Sequence, residues 1–249
     1  MSALRVRSRD GRVTVTPQSA GWTYVGFEVC RLDGPLARVE GGRETCVVVL
    51  EGDCDLAAGD ETWHGLGRSS VFDEPPTALY VPPRCRWSAT GDAEIAVCTA
   101  PASGTLPPRL LDAPQLSGRG EGIEERRIAN ILMEAEPAES LLVTEVVTPA
   151  GHWSSYPPHK HDVDDPPRET ALEETYYHRL RDPSGFALQR VYTDDGSLDE
   201  AIAVGHGDVV LVPRGYHPVV ADARHDLYYL NVMAGPVRLW RTTVDARYA

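Results

Sequence analysis

The chain has 249 residues, a length that allows one large or two medium domains with an ample core. Hydrophobic residues make up 42% of it, an ordinary share for a folded soluble protein, and no apolar run approaches the roughly 20 residues that a membrane span needs. The net charge of −13 argues against nucleic acid as a partner, because phosphate binding requires a basic face.

The N-terminus and the cysteines indicate the compartment. The first ten residues lack the apolar core of a signal peptide. The five cysteines are odd in number, show no Cys-x-x-Cys spacing and all lie in the first half of the chain. Free thiols in a reducing compartment explain this pattern better than disulfides or a metal cluster. We therefore expect a cytoplasmic protein with neither a membrane nor a nucleic-acid partner.

The first half of the chain has the pattern of short β-strands. A run of β-branched residues ends in Glu51-Gly52-Asp53, which predicts a strand that runs into a turn. Gly59 separates two strand-like segments and predicts a hairpin. Nothing in this half keeps a helical periodicity. The expected strands are 12–16, 24–30, 45–51, 53–57, 61–64, 78–81 and 94–99.

Proline and glycine become frequent over 101–122, which we interpret as an inter-domain connection. The next segment, 124–133, suits a short helix or an edge strand, and its sequence does not decide between them. This second half has a strand spacing that is typical of an antiparallel barrel and not of alternating β and α units. Its expected strands are 141–148, 173–180, 186–193, 201–204, 208–212 and 227–233.

A faint internal repeat divides the chain. The segment 79–87 reads LYVPPRCRW, and 210–217, about half the chain later, reads VLVPRGYH. Two similar barrels would explain the repeat. Because Trp87 stands near the place of His217, the N-terminal barrel is expected to be metal-free. The predicted units are an N-terminal barrel at 1–105, a linker at 106–125 and a C-terminal barrel at 126–249.

The main chemical signal is the sequence Pro157-Pro158-His159-Lys160-His161. Two histidines that are two positions apart project from the same face of an extended strand. The prolines before them argue against a helix. Neutral imidazole is a good ligand for first-row metals, so the pair predicts a metal site.

A metal needs more than two ligands, and the later sequence offers them. Glu174 opens an apolar run of strand character, and His217 closes a segment with proline and glycine turns. Twelve residues separate His161 from Glu174, so Glu173 stays open as an alternative to Glu174. We interpret four residues as one metal site: His159, His161, Glu174 and His217.

The order His-x-His, Glu, Gly-x5-Pro-x-Gly-x-His resembles the two motifs of the cupin family, small β-barrels that hold one metal with three histidines and a glutamate. The segment 148–162, TPAGHWSSYPPHKHD, resembles the signature of the 5-deoxy-glucuronate isomerase family, bicupin enzymes of inositol catabolism. The segments 172–178, 186–195 and 210–218 are similar to that family too. His152 stands where the family more usually has Asn.

The resemblance implies an all-β bicupin of two antiparallel, jelly-roll-like β-barrels. It also implies a metal-dependent aldose–ketose isomerase that converts 5-deoxy-D-glucuronate to 5-dehydro-2-deoxy-D-gluconate. The partner would be a small sugar acid, and a homo-oligomer is allowed. The cofactor would be a divalent metal ion, zinc or manganese before iron or nickel, that acts as a Lewis acid on the substrate.

Strand alternation selects candidates for the other roles. If Glu174 points into the barrel, Tyr176 and His178 do so as well, and we predict these two as the catalytic residues that handle protons. Arginine binds carboxylates in a bidentate manner, which favours an arginine of this half as the substrate contact. The predicted substrate-binding residues are Arg190 and Tyr192, which share one face of the expected strand 186–193. If the opposite face of that strand points into the barrel, Gln189 is the candidate instead.

Two other functions fit the same motifs. A cupin dioxygenase would use iron in the same ligand set and consume oxygen, whereas a sugar-binding cupin would bind without catalysis. The sequence contains no Gly-x-Ser-x-Gly, no P-loop and no Gly-x-Gly-x-x-Gly, so hydrolase, kinase and Rossmann functions lack support.

Overall fold

The computed structural model describes residues 2–111 and 116–249. Strands dominate this part of the chain, and the described helical segments are the four-residue helix α1 (Pro17–Ala20) and a single 3-10 turn at Gly122–Glu124. No helix among the described residues is long and apolar enough to span a membrane. The strand pattern confirms the all-β expectation.

The N-terminal half forms an eight-stranded antiparallel sheet. The sheet follows the order β2-β3-β8-β5-β7-β9, with β4 added beside β8 and β6 beside β5. The first strand, β1, pairs elsewhere. The strands are β1 (Arg5–Val6), β2 (Val13–Val15), β3 (Gly26–Arg31), β4 (Leu36–Val39), β5 (Arg43–Ala58), β6 (Glu61–Arg68), β7 (Thr77–Val81), β8 (Arg86–Pro101) and β9 (Arg109–Leu111).

The C-terminal half adds twelve strands in three sheets. They are β10 (Ser117–Arg119), β11 (Arg126–Leu132), β12 (Leu142–Thr148), β13 (Trp153–Ser154), β14 (His159–Lys160), β15 (Glu173–Leu180), β16 (Ala187–Tyr192), β17 (Asp199–Val204), β18 (Val209–Val212), β19 (Val219–Ala221), β20 (Leu227–Ala234) and β21 (Thr243–Val244). A seven-stranded sheet has the order β1-β18-β15-β20-β12-β11-β10. A four-stranded sheet has the order β13-β19-β16-β17, and β14 pairs with β21.

Two sheets of the C-terminal half enclose an apolar core between them. Tyr176 and Val210 come from the seven-stranded sheet, and Val191 and Ile202 come from the four-stranded sheet. All four side chains are almost fully buried in one cluster. This packing of two antiparallel sheets is the jelly-roll-like barrel that the sequence predicts.

The other face of the seven-stranded sheet packs against the N-terminal half. Tyr177 of β15 lies with its ring centroid 5.6 Å from that of Phe27 of β3. Both belong to a cluster of buried residues drawn from β2 to β9 on one side and from β11 to β20 on the other. The strands of the larger C-terminal sheet are therefore buried on both faces.

The structure differs from the expected elements at two places. Gly52 does not begin a turn, because β5 continues through it. Its φ of 88° and the backbone of Asp92 beside it leave no room for a Cβ, so glycine lets the strand bend while pairing persists. The sequence of 124–133 suits either a helix or an edge strand. The structure shows an interior strand there, β11, which pairs with both β10 and β12.

The predicted domain boundaries stay a prediction. The register shows that β1 pairs with β18, so the chain starts in the C-terminal sheet before it enters the N-terminal one. The segment that was expected to be a linker contains strand structure, since β9 pairs with β7 and β10 with β11.

Candidate metal centre and active site

Pairing with the C-terminus positions the first histidine. His159 of β14 lies opposite Val244 of β21 in the antiparallel register. His161 follows, and its carbonyl oxygen accepts a hydrogen bond from the backbone N–H of Leu172 at 2.9 Å. This bond closes the long insert between the two ligand segments and brings His161 beside the start of β15.

Glu174 lies at the centre of the histidines. Its Oε2 is 3.0 Å from Nε2 of His161 and 3.2 Å from Nε2 of His217. Ligand atoms of these three residues all lie within 4.8 Å of one another. The ring centroid of His159 is 4.9 Å from that of His217. The structure thus brings three of the predicted ligands to a common centre and puts the fourth next to it.

All three histidines direct Nδ1 at a backbone carbonyl. Nδ1 of His159 lies 3.2 Å from the carbonyl oxygen of Pro157, and Nδ1 of His161 lies 3.2 Å from that of Leu172. Nδ1 of His217 lies 2.8 Å from the carbonyl oxygen of Gly215. A carbonyl only accepts, so each contact assigns a proton to Nδ1, and in the neutral imidazole Nε2 then carries the lone pair that a metal can use. Metal-binding histidines are commonly oriented in this way.

One nitrogen at this centre tests whether the residues fit a metal. Nε2 of His217 is buried and has no hydrogen-bond partner among the described residues, although Glu174 is near. A buried polar atom without a partner is costly, and a metal ion would satisfy it. Three imidazoles and one carboxylate also form a donor set that divalent first-row metals accept. The residues fit a divalent metal ion.

The electrostatics of the cluster keep His159 and His217 in the neutral form that binds a metal. Burial lowers the pKa of His159 to about 4, and the nearby His161 adds to the shift. Burial and the two other histidines hold the pKa of His217 well below its usual value. Burial opposes charge on His161 too, but the hydrogen bond and charge of Glu174 outweigh it and raise the pKa of His161. A cation at the centre would displace the proton that this pair shares.

The structure separates the two adjacent glutamates. Glu174 is buried beside the histidines, whereas Glu173 turns to the opposite face of β15. The carboxylate of Glu173 accepts the backbone N–H groups of Thr23, Tyr24 and Val25 at 2.7 to 2.9 Å. Glu173 therefore binds the N-terminal half of the chain, and only Glu174 is within reach of the histidines.

A cavity of about 460 Å³ opens onto this centre, a size common for small-molecule sites. Its wall includes His159, Glu174 and Tyr176. A larger groove of about 700 Å³ lies at β1, β2 and β17, but none of the predicted site residues lines it. We therefore take the smaller cavity as the candidate active site.

The two predicted catalytic residues have different surroundings. Tyr176 lines the cavity beside Glu174, and its hydroxyl is 2.8 Å from Oγ of Ser155. His178 is fully buried behind Tyr176, outside the cavity wall, with Nε2 2.9 Å from Oε1 of Gln189. Burial lowers the pKa of His178 to about 4, so its imidazole is neutral. Of the two, only Tyr176 lines the cavity.

The three predicted substrate contacts lie away from the cavity wall. Arg190 is bound to Asp199 through two hydrogen bonds of 2.7 Å at the protein surface. The hydroxyl of Tyr192 donates to Asp245 at 2.7 Å. Gln189 is buried behind the metal centre, where it joins His178 to the backbone of His217. Each of these polar groups is thus engaged in an intramolecular contact.

Residues that the sequence analysis did not predict also line the cavity. Ser155 and Asn231 line the cavity near Tyr176. Trp240 lines it from the C-terminal segment, with its ring centroid 5.9 Å from that of His159 and perpendicular to it. Arg119, from the segment expected to be a linker, lines it as well. The C-terminal segment and the expected linker carry no motif, so no local signal distinguished Trp240 and Arg119.

Known proteins resemble the chain over nearly its whole length. The model of the KduI/IolB family matches residues 3–249. A curated 5-deoxy-glucuronate isomerase from Geobacillus thermodenitrificans is 53% identical over 241 residues, which cover 94% of this chain and 88% of the relative.

Solved structures agree with this similarity. An IolB-like protein from Salmonella typhimurium has a TM-score of 0.96 at 45% identity, covering 100% of this chain and 98% of that one. A cupin-fold oxalate decarboxylase has a TM-score of 0.65 at 14% identity, covering 98% of this chain and 80% of that one. This second likeness shows the fold alone, and it confirms the bicupin expectation.

Proposed function

This chain belongs to the KduI/IolB family, and we propose that it isomerises 5-deoxy-glucuronate at a divalent metal ion. The curated relatives named 5-deoxy-glucuronate isomerase confirm the expectation of an isomerase. Their names favour neither the dioxygenase nor the non-catalytic sugar-binding alternative. The observation that carries the metal part of the proposal is the approach of His161, Glu174 and His217 to a common centre in the wall of a cavity.

We assign the metal to His159, His161, Glu174 and His217. A bound divalent ion would polarise the substrate carbonyl and stabilise the negative charge that develops on the substrate oxygens during an aldose–ketose isomerisation. Three nitrogens and one carboxylate leave coordination positions open, as a catalytic site needs. The donor set suits zinc or manganese, and iron or nickel are the next choices.

The remaining chemistry belongs to the protein's own side chains. Tyr176 presents a phenolic hydroxyl in the cavity wall beside Glu174, where it can donate a hydrogen bond to a substrate oxygen. Burial and the charge of Glu174 keep the pKa of Tyr176 well above its usual value, so the hydroxyl retains its proton. Trp240 packs against His159 at the cavity wall, with 5.9 Å between the two ring centroids.

A sugar acid also needs a partner for its carboxylate. Arg241 lines the cavity but binds Glu134, with 2.9 Å between Nη1 and Oε1. Arg119 of β10 lines it too, and its exposed side chain makes no hydrogen bond or ion pair with any described residue. We assign the substrate carboxylate to Arg119, because no carboxylate of the described residues competes for its guanidinium and it is available for a bidentate contact.

The test is an assay of the metal-loaded protein with 5-deoxy-glucuronate in the absence of oxygen, with metal analysis of the purified protein. We expect isomer formation by NMR, loss of activity with a chelator and about one metal ion per chain, as a single site of this kind holds. No product from the loaded protein would overturn the isomerase proposal. Conversion that requires oxygen would identify a dioxygenase instead.

A pair of histidine variants locates the metal. His217→Ala should lose the metal and lower kcat/KM by at least about a hundredfold, because it removes a ligand and not only its support. His64→Ala removes an exposed histidine that contacts Asp55 in the N-terminal half, and it should keep both metal and activity. Equal metal content in the two variants would contradict the assigned site.

A further inference from the structure

Ser155 has a strained backbone at the edge of the cavity. It follows β13 and has a φ of 49°, in the left-handed region that residues other than glycine rarely adopt. Such a conformation is energetically unfavourable and persists only where the surroundings hold it. Ser155 is almost fully buried. The structure therefore keeps this serine in a position that a relaxed backbone would not give it.

The position places the Ser155 hydroxyl in a chain of four buried hydroxyls. Its Oγ is 2.8 Å from Oη of Tyr176 and 3.4 Å from Oη of Tyr229. Oη of Tyr229 is in turn 2.5 Å from Oγ of Ser154. Ser155 and Tyr176 also line the cavity with Glu174, whereas the other two hydroxyls lie behind them. The end of the hydroxyl row formed by Ser155 and Tyr176 thus lies at the cavity, where a substrate would bind.

This row of four hydroxyls restricts where each hydroxyl proton can point. A hydroxyl has one proton to donate and can accept others, so neighbours along a chain must agree on one direction. Tyr176 is the nearer of the two neighbours of Ser155. When Ser155 donates to Tyr176, the phenolic proton of Tyr176 is not needed among the other hydroxyls and is free to point to the cavity side, where Glu174 also lies.

We propose that Ser155 is the positioning residue of Tyr176: its hydroxyl donates to the phenolic oxygen and thereby directs the tyrosine proton to a substrate oxygen. The inference rests on the proposed isomerase function and deepens it. It also gives the strained backbone a reason, since relaxation at residue 155 would move Oγ away from Tyr176. Ser155 itself acts through Tyr176 and not on the substrate.

Two substitutions separate this role from a structural one. Ser155→Ala and Ser155→Gly both delete Oγ, but glycine adopts the left-handed region without strain and alanine does not. The glycine variant should therefore melt at a higher temperature than the alanine variant. Both should lower kcat by about tenfold or more, with KM changed less than about threefold, because a charge-free hydrogen bond that orients a donor acts mainly in the transition state.

A matched control reports on strain alone. Asp10 has a φ of 52° and is exposed in a turn near the N-terminus. Asp10→Gly relieves a similar backbone conformation away from the cavity, so it should leave kcat unchanged. If kcat of the Ser155 variants follows their melting temperature, so that glycine is active and alanine is not, the role of Ser155 is structural and the proposal fails.

A double-mutant cycle tests whether Ser155 acts through Tyr176. In a Tyr176→Phe background, Ser155→Ala should change kcat by less than about twofold, because the hydroxyl to be positioned is gone. Full, multiplicative loss in that background would overturn the proposal, as would near-native kcat in both single Ser155 variants. Turnover by the unmodified protein, measured first, shows whether the isomerase proposal holds independently of these results.

Discussion

Hydrogen-bond partners decide which single side chains are available to a substrate. Arg190 and Arg241 each hold a carboxylate of the protein, whereas Arg119 has no such partner among the described residues. Hydrogen-bond partners also matter for the three histidines of the site. Their Nδ1 atoms contact backbone carbonyls, so Nε2 is the nitrogen that remains for a metal ion. Residue type alone therefore does not identify a site residue, because its neighbours must also leave it free.

Arg119→Met should weaken the recognition of the acid and not the chemistry. We expect kcat/KM for 5-deoxy-glucuronate to fall by about tenfold, as a solvent-accessible charge-assisted contact is lost. An analogue with a primary alcohol in place of the carboxylate should be turned over equally by both proteins. The measurement is the ratio of the two kcat/KM values.

The control for this substitution is Arg224→Met. Arg224 is exposed and lines a different surface pocket beside β19, so its removal makes the same charge change without touching the cavity. An equal loss for the acid and the alcohol in Arg119→Met would assign the carboxylate to another residue.

Alternation along β15 connects the two halves of the molecule to the site. Glu174 and Tyr176 face the cavity, while Glu173 and Arg179 face the N-terminal half. Arg179 donates to Glu94 of β8 at 2.9 Å. One strand therefore carries site residues on one face and interdomain contacts on the other, as a period of two requires.

Conservative substitutions on the two faces should separate stability from metal binding. Glu173→Gln removes the charge that accepts three backbone N–H groups, and we expect the free energy of unfolding to fall by about 1–3 kcal/mol with metal retained. Glu174→Gln should lose metal and activity while the fold persists. Urea unfolding and metal analysis of both proteins check this, and loss of metal in Glu173→Gln alone would refute the assignment.

The molecule as a whole is joined by a buried ion pair as well as by a shared core. Arg68 of β6 donates to both carboxylate oxygens of Glu145 of β12 at 2.9 Å, and both side chains are 0% exposed. The hydroxyl of Tyr228 also donates to Glu145 at 2.9 Å. The pair links the N-terminal sheet to the seven-stranded sheet, and both carboxylate oxygens of Glu145 accept hydrogen bonds.

Breaking this pair on one side should be costly. Arg68→Met leaves the Glu145 charge buried without its partner, and we expect the free energy of unfolding to fall by about 3–5 kcal/mol. The double variant Arg68→Met/Glu145→Leu should recover part of that loss, because neither charge remains. Urea denaturation measures both values.

The exposed pair of Arg190 and Asp199 provides the comparison. Arg190→Met should cost less than about 1 kcal/mol, since solvent screens a surface ion pair. Similar losses for Arg68→Met and Arg190→Met would show that the buried pair does not hold the two halves together.

Local patterns predicted much of the fold and the centre of the site. The strands that contain Glu174, Val191 and Val210 were expected close to their observed bounds, because alternation and β-branched residues act within a few positions. The same alternation placed Glu174 and Tyr176 on one face. It could not choose between Glu173 and Glu174, since that choice depends on which face the N-terminal half covers.

The sequence by itself determined the all-β architecture, the histidine motif and the family resemblance. Only the tertiary structure decided that β5 continues through Gly52, that Arg119 and Trp240 reach the cavity, and that His178 lies behind Tyr176. The physical reason is range. Strand periodicity is set by neighbours in the chain, whereas the contacts of a side chain depend on segments that meet only when the sheets pack.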